Sequence, residues 1–125
     1  MTNGSRPARI LVVDDEEHIT ELVAMGLGYN GFEVERVGSG RAALDAIGRH
    51  RPDLIVLDVM LPDLDGFEVA RRLAAGEQRP VIVLTSTREA SDYGGRIAAS
   101  PAAGFLPKDQ LSGAALRRFL GGDRA

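Results

Sequence analysis

The chain has 125 residues, 44% of them hydrophobic and 26% charged, with a net charge of -3. That length suits one domain with a real core, and the near-neutral charge excludes a polybasic surface for nucleic acid or anionic membrane. The absence of cysteine excludes disulfides, thiolate metal sites and cysteine nucleophiles together.

Met1 to Ala8 is polar and contains Gly4 and Pro7, which predicts a loose arm ahead of one domain over 9–121. Arg9 to Val13 is a short apolar strand, too short for a signal peptide core or a membrane span, so a cytoplasmic protein is expected. Asp14, Asp15, Glu16 and Glu17 follow it directly. Ile19, Leu22, Val23 and Gly26 recur at helical spacing, predicting a helix to about Tyr29 that Asn30-Gly31 ends. Phe32 to Val37 alternates apolar with polar residues, as an edge strand does. Ser39, in the turn Gly38-Ser39-Gly40, caps a helix whose apolar face is Ala43, Leu44 and Ile47.

Leu54 to Leu57 is apolar without alternation, which fits a strand covered on both faces. Asp58 at its end is out of pattern. Pro62 stops the strand, and Asp65 with Glu68 has the form of a helix cap with a glutamate reaching back. Val69, Ala70 and Leu73 mark the third helix. Val81 to Leu84 is a second unalternated run, ending in Thr85-Ser86-Thr87. Arg88 to Ala99 is helical by position, weakened by Gly94-Gly95 and Pro101. Gly104 to Leu106 is a last strand, closed by Pro107-Lys108. Ser112 caps a final helix with Ala115, Leu116, Phe119 and Leu120 inward, and 122–125 is a short tail.

The order βαβαβαβαβα predicts a flavodoxin-like, doubly wound, five-stranded parallel sheet, (βα)5, with the first and third strands central. In such a sheet the strand ends that carry Asp14 and Asp15, Asp58, Thr85 and Lys108 share one edge. Clustered carboxylates need a counter-charge, and an oxygen-only donor set suits Mg²⁺. Lys108 is the only lysine in a chain that otherwise uses arginine, which suggests a need for a compact point charge. Thr85 supplies one hydroxyl donor. Each residue alone has a plain structural explanation: helix-terminal acids, a turn cap, a solvated charge. Together on one edge they form a site.

These residues, with Pro62 and Asp65-Gly66 behind Asp58, resemble the receiver domain of two-component response regulators from Arg9 to Leu120. The resemblance implies a phosphoacceptor, not an enzyme, that assists its own phosphorylation and dephosphorylation. Asp58 would take a phosphoryl group from the phosphohistidine of a sensor histidine kinase or a phosphotransfer protein. Mg²⁺ would be held by Asp14, Asp15, Asp58 and the Met60 backbone carbonyl, with Asp14 acting through water. Lys108 and Thr85 would hold the phosphoryl oxygens. Thr85 and Phe105 would be the switch pair, signalling to an effector or a second copy through the face of the fourth helix, fifth strand and fifth helix. Neither nucleic acid nor membrane is an expected partner of the domain. Met60 and Thr87, which cannot orient an attacking water well, would lengthen the lifetime of the phosphorylated state.

Two departures stand out. Lys108 is followed by Asp109 where the family often has proline, as in the branch whose full-length members carry helix-turn-helix output domains. The Thr85-to-Lys108 spacing also adds one residue near the fourth helix. Three rivals follow from the same residues. An aspartate-nucleophile phosphatase normally has a second aspartate two positions on, where this chain has Met60. A nucleotide binder would use Gly38-Ser39-Gly40-Arg41-Ala42-Ala43, which matches a dinucleotide fingerprint but on the second βα turn. A pseudo-receiver acting only as an interaction module would not need the intact Asp, Thr and Lys set.

Overall fold

The computed structural model describes residues 6–121. Five strands, β1 (Arg9–Val13), β2 (Glu33–Val37), β3 (Leu54–Asp58), β4 (Val81–Ser86) and β5 (Gly104–Pro107), pair in parallel in the order β2-β1-β3-β4-β5. The helices are α1 (Glu17–Tyr29), α2 (Gly40–His50), α3 (Gly66–Ala75), α4 (Arg96–Ala99) and α5 (Gly113–Phe119). Residues 1–5 of the expected arm and the expected tail over 122–125 lie outside the described residues. Arg6 pairs with Asp53, and the Ala8 carbonyl accepts from the Glu33 amide.

The unalternated runs are the interior strands. All five residues of β3 are buried, because each face of the sheet is covered. Alternate residues divide between two cores. Leu11, Ile55, Leu57 and Leu84 pack with α2 and α3. Ile10, Val12, Leu54, Val56 and Val83 pack with Leu27 of α1 and Leu116 of α5. Among the described residues no helix is long and apolar enough to cross a membrane.

Three local expectations need correction. Leu22 is 68% exposed and Gly26 is also outside; of the expected face Val23 and Leu27 do turn inward, joined by Thr20. Leu22, Met25 and Tyr29 consequently form an exposed apolar stripe. Asp65 does cap α3, its Oδ1 accepting from the Phe67 amide at 2.7 Å. Glu68, however, does not reach back; its carboxylate is taken by Arg71 and Arg72 one turn ahead. The segment after β4 is not one helix: a 3₁₀ turn over Ala90–Tyr93 and the single turn of α4 are separated by Gly94-Gly95. Gly94 has φ 59°, ψ -132°, a region that side-chain-bearing residues avoid.

Candidate functional site

The carboxyl edge of the sheet gathers the polar residues. Asp58 closes β3 and lies opposite Thr85 in the β3–β4 register. Asp14 follows β1 immediately, its amide donating to the Val37 carbonyl at 3.1 Å. Lys108 follows β5. Its ammonium donates to Asp14 Oδ2 at 2.7 Å and Asp58 Oδ2 at 3.1 Å, with Glu16 Oε1 at 3.4 Å. Asp14 and Asp58 are buried and Asp15 is exposed, yet each presents an oxygen within 4.8 Å of the others.

The loops hold these groups in place. Asp58 Oδ1 accepts from the Met60 amide at 3.0 Å, and Asp14 Oδ1 from the Glu16 amide at 3.0 Å. The Gly66 amide donates to the Val59 carbonyl at 2.8 Å, bringing the start of α3 against the end of β3. No side chain fits there: a Cβ on Gly66 would lie 2.4 Å from the Asp58 carbonyl oxygen.

Burial raises the Asp58 carboxyl above its ordinary pKa, and the Asp14 charge adds to this; the Met60 amide and Lys108 offset only part. Burial also opposes the charge on Lys108, but its hydrogen bonds to Asp14 and Asp58 prevail and raise it above the ordinary lysine value. The cluster is therefore held together by one ammonium. Oxygen donors at this spacing can hold a metal ion. Thr85 Oγ1 is buried and has no hydrogen-bond partner among the described residues. An orphaned buried hydroxyl is costly, so Thr85 has a hydrogen bond to gain from a polar group brought within its reach.

The expected residues thus come together as Asp14, Asp15, Asp58, Thr85 and Lys108. Met60, 54% exposed, and Thr87 lie on the two flanking loops. Phe105 is half-buried and packs against Tyr93. Glu16, Ser86 and Tyr93 belong to the same surroundings but were not singled out in the sequence. Glu16 read there only as a helix-terminal acid, and Tyr93 had no periodic partner. The glycine-rich turn is no phosphate cradle. Asp63 accepts from the Gly40 and Arg41 amides at 2.8 and 2.9 Å, and Ser39 Oγ from the Ala42 amide at 3.1 Å. The first amides of α2 are already paired, and the Arg41 and Gly40 amides hold the Asp63 carboxyl below its usual range.

A doubly wound parallel sheet with an acidic cluster, a lysine and a buried hydroxyl on its carboxyl edge defines a flavodoxin-like receiver fold. The chain belongs to the response regulator receiver domain family, whose model matches residues 10–118. It is 46% identical over 105 residues to response regulator MprA of Mycolicibacterium vanbaalenii, across 82% of this chain. It spans 44% of the length of that curated relative. Among solved structures it is similar to the signal receiver domain of the response regulator NarL from Mycobacterium tuberculosis. That match has a TM-score of 0.85 and 29% identity, and covers 94% of this chain and 98% of that one. It is also similar to the BeF3-activated N-terminal receiver domain of RstA from Klebsiella pneumoniae. There the TM-score is 0.79 and the identity 29%, with coverage of 88% and 93%.

Proposed function

We propose that this receiver domain accepts a phosphoryl group on Asp58 from the phosphohistidine of a sensor histidine kinase or a phosphotransfer protein. The observation that carries the reading is the Lys108 ammonium bridging Asp14 and Asp58, 2.7 and 3.1 Å away, beside a buried Thr85 hydroxyl without a partner. An Asp58 carboxylate oxygen attacks phosphorus, forming the acyl phosphate as the phosphorus–nitrogen bond to the donor imidazole breaks. Lys108 shifts toward a phosphoryl oxygen, and Thr85 donates its hydroxyl to another.

Asp14, Asp15, Asp58 and the Met60 carbonyl would hold Mg²⁺, with Asp14 acting through water. Once bound, the ion neutralises charge that develops on the transferring group. The domain works as a phosphoacceptor in the cytoplasm and turns over no substrate of its own. Its output runs through Thr85 and Phe105 to the face of α4, β5 and α5, which meets an effector or a second copy. The test is incubation with acetyl phosphate and Mg²⁺, followed by mass mapping. An adduct on Asp58 is expected; an unmodified protein, or an adduct elsewhere, overturns the reading.

Millimolar Mg²⁺ should raise the melting temperature, because a ligand held only by the folded state stabilises it. At tenfold excess over Kd the gain is about 1.4 kcal/mol. Asp15→Ala should lose most of that gain, since the other two carboxylates are already tied to Lys108. A Mg²⁺ response of equal size in Asp15→Ala removes this residue from the donor set.

Met60 and Thr87 set how long the phosphoryl group stays. Neither side chain orients a water opposite Asp58 well, so wild type decays slowly. Met60→Asn with Thr87→Glu should shorten the half-life of the adduct after donor removal by roughly tenfold, less than the roughly 10²–10⁴-fold of a full acid–base group because the new side chains only orient a water. Equal decay of the two proteins would clear both residues of this role.

A further inference from the structure

The end of β4 carries two neighbouring buried hydroxyls in opposite situations. Thr85 Oγ1 has no hydrogen-bond partner among the described residues. Ser86 Oγ lies 2.6 Å from the Tyr93 hydroxyl and accepts from the Arg88 amide at 3.0 Å. Tyr93 ends the 3₁₀ turn after β4. Its ring stands edge-on to Phe67, centroids 5.8 Å apart, and tilted against Phe105 at 6.0 Å. It therefore touches the strand end through its oxygen and Phe105 through its ring.

Directly after Tyr93 comes the Gly94-Gly95 break. Beyond the break, Arg96 pairs with Asp65 at 2.9 Å and lies 4.3 Å over the Phe67 ring. Both Arg96 and Asp65 are about half exposed, and an ion pair in that setting contributes little. The firmer tie is the partly buried one, between Tyr93 and Ser86.

The geometry points to Tyr93 as a positioning residue for phosphorylation: its hydroxyl, bonded to Ser86, holds the end of β4 where Thr85 stays unengaged and keeps Phe105 at its present depth. This rests on Asp58 being the phosphoacceptor. Thr85 and Ser86 are consecutive at the end of β4, so any shift of the strand end that carries Thr85 toward a phosphoryl oxygen on Asp58 moves Ser86 as well. An O–H···O bond of 2.6 Å stretches little before it is lost. The 3₁₀ turn must then follow or let go, and the glycine pair lets it do either without dragging α4. Movement of Tyr93 also changes the wall against which Phe105 packs. The bond thus opposes the phosphorylated setting, and its removal favours that setting.

Tyr93→Phe keeps both ring contacts and deletes only the oxygen; Ser86→Ala deletes the partner. Labelling of Asp58 by acetyl phosphate with Mg²⁺ is measured first in wild type. Each variant should then label faster, by about twofold to tenfold, the worth of one hydrogen bond. Ser86→Ala also removes the acceptor of the Arg88 amide, so the double variant should label no faster than Ser86→Ala alone. Amide hydrogen exchange in the unphosphorylated protein supplies the second readout. Exchange over residues 88–95 should accelerate in both variants while the Leu54–Leu57 amides stay unchanged.

Failure of wild type to label removes the functional reading and the positioning role with it. Normal wild-type labelling, with variants that label at the same rate or more slowly, overturns the positioning role alone. Unchanged exchange over 88–95 overturns it too, because no tie has then been released. Strictly additive effects of the two variants would show that the hydroxyls act separately, which also overturns it.

Discussion

Asp58→Asn is expected to take no phosphoryl group from acetyl phosphate and to melt higher than wild type. The two effects have one origin. The carboxylate proposed as nucleophile is crowded by Asp14 and Asp15, with oxygens of all three within 4.8 Å. Asparagine keeps the shape, but its amide is no nucleophile and carries no charge. The stability effect has a definite sign. Burial raises the Asp58 carboxyl above its unfolded value, so the folded protein holds that proton more tightly than the unfolded chain does. The associated stability is complete below the unfolded carboxylate pKa and is lost as pH rises through the folded one. As pH rises through the folded value wild type takes on that cost, and Asp58→Asn does not.

Against this, the amide can accept at only one of the two oxygen positions now used by the Met60 amide and Lys108. One hydrogen bond to a charged group is worth about 1.5–3 kcal/mol. The raised Asp58 pKa already includes the Met60 and Lys108 bonds and still favours the neutral form, so the expected balance is a higher melting temperature. The gap should be widest near neutral pH without metal. It should narrow as pH falls toward 4, and again when Mg²⁺ is added to wild type. Melting curves at three pH values, with mass spectrometry after donor incubation, check both halves. A variant that labels like wild type removes Asp58 as phosphoacceptor. One that melts lower at every pH removes the crowding argument.

Gly66→Ala should be the most damaging single methyl in the domain. Its Cβ would lie 2.4 Å from the Asp58 carbonyl oxygen, 2.7 Å from Val59 Cα and 3.0 Å from the Val59 carbonyl oxygen. All three are backbone atoms, so no rotamer change relieves the contact. Either α3 retreats from the sheet or the end of β3 bends. Overpacking of this kind costs about 1–3 kcal/mol, and the absence of a flexible neighbour puts the expected loss at or above about 3 kcal/mol. Either movement shifts Asp58 relative to Lys108, and misplacement of a reacting group by about 1 Å can cost around a hundredfold in rate. The expected result is therefore a lowered melting temperature together with labelling slowed by one to two orders of magnitude. Denaturant unfolding with a time course of acetyl phosphate labelling measures both. Unchanged stability and rate would mean that the β3–α3 loop yields freely, and would remove it as the support of Asp58.

Most of the fold and the centre of the site were legible in the chain. Leu54–Leu57 and Val81–Leu84 lack alternation because both faces of an interior parallel strand are buried, and that condition is written residue by residue. The strict βα alternation then puts every strand's carboxyl end on one edge, so residues as distant as Asp14 and Lys108 could be brought together before any contact was known. The structure seats them 2.7 Å apart.

Tertiary structure alone decided how the irregular segments meet. Leu22 fits the helical period of α1 but lies outside, because Val23 and Leu27, not Leu22, meet the core shared with α5. Asp63 caps α2 from a loop 23 residues away, which no local pattern announces. Glu68 had a sequence suited to capping α3, but Arg71 and Arg72 on its own helix offered charged partners. Ser86 and Tyr93 are joined across the irregular segment between β4 and the end of the 3₁₀ turn, which follows no helical period. Periodicity reports burial within a regular element. It carries no information on the order of side chains between two loops, and there the packing of the whole domain makes the choice.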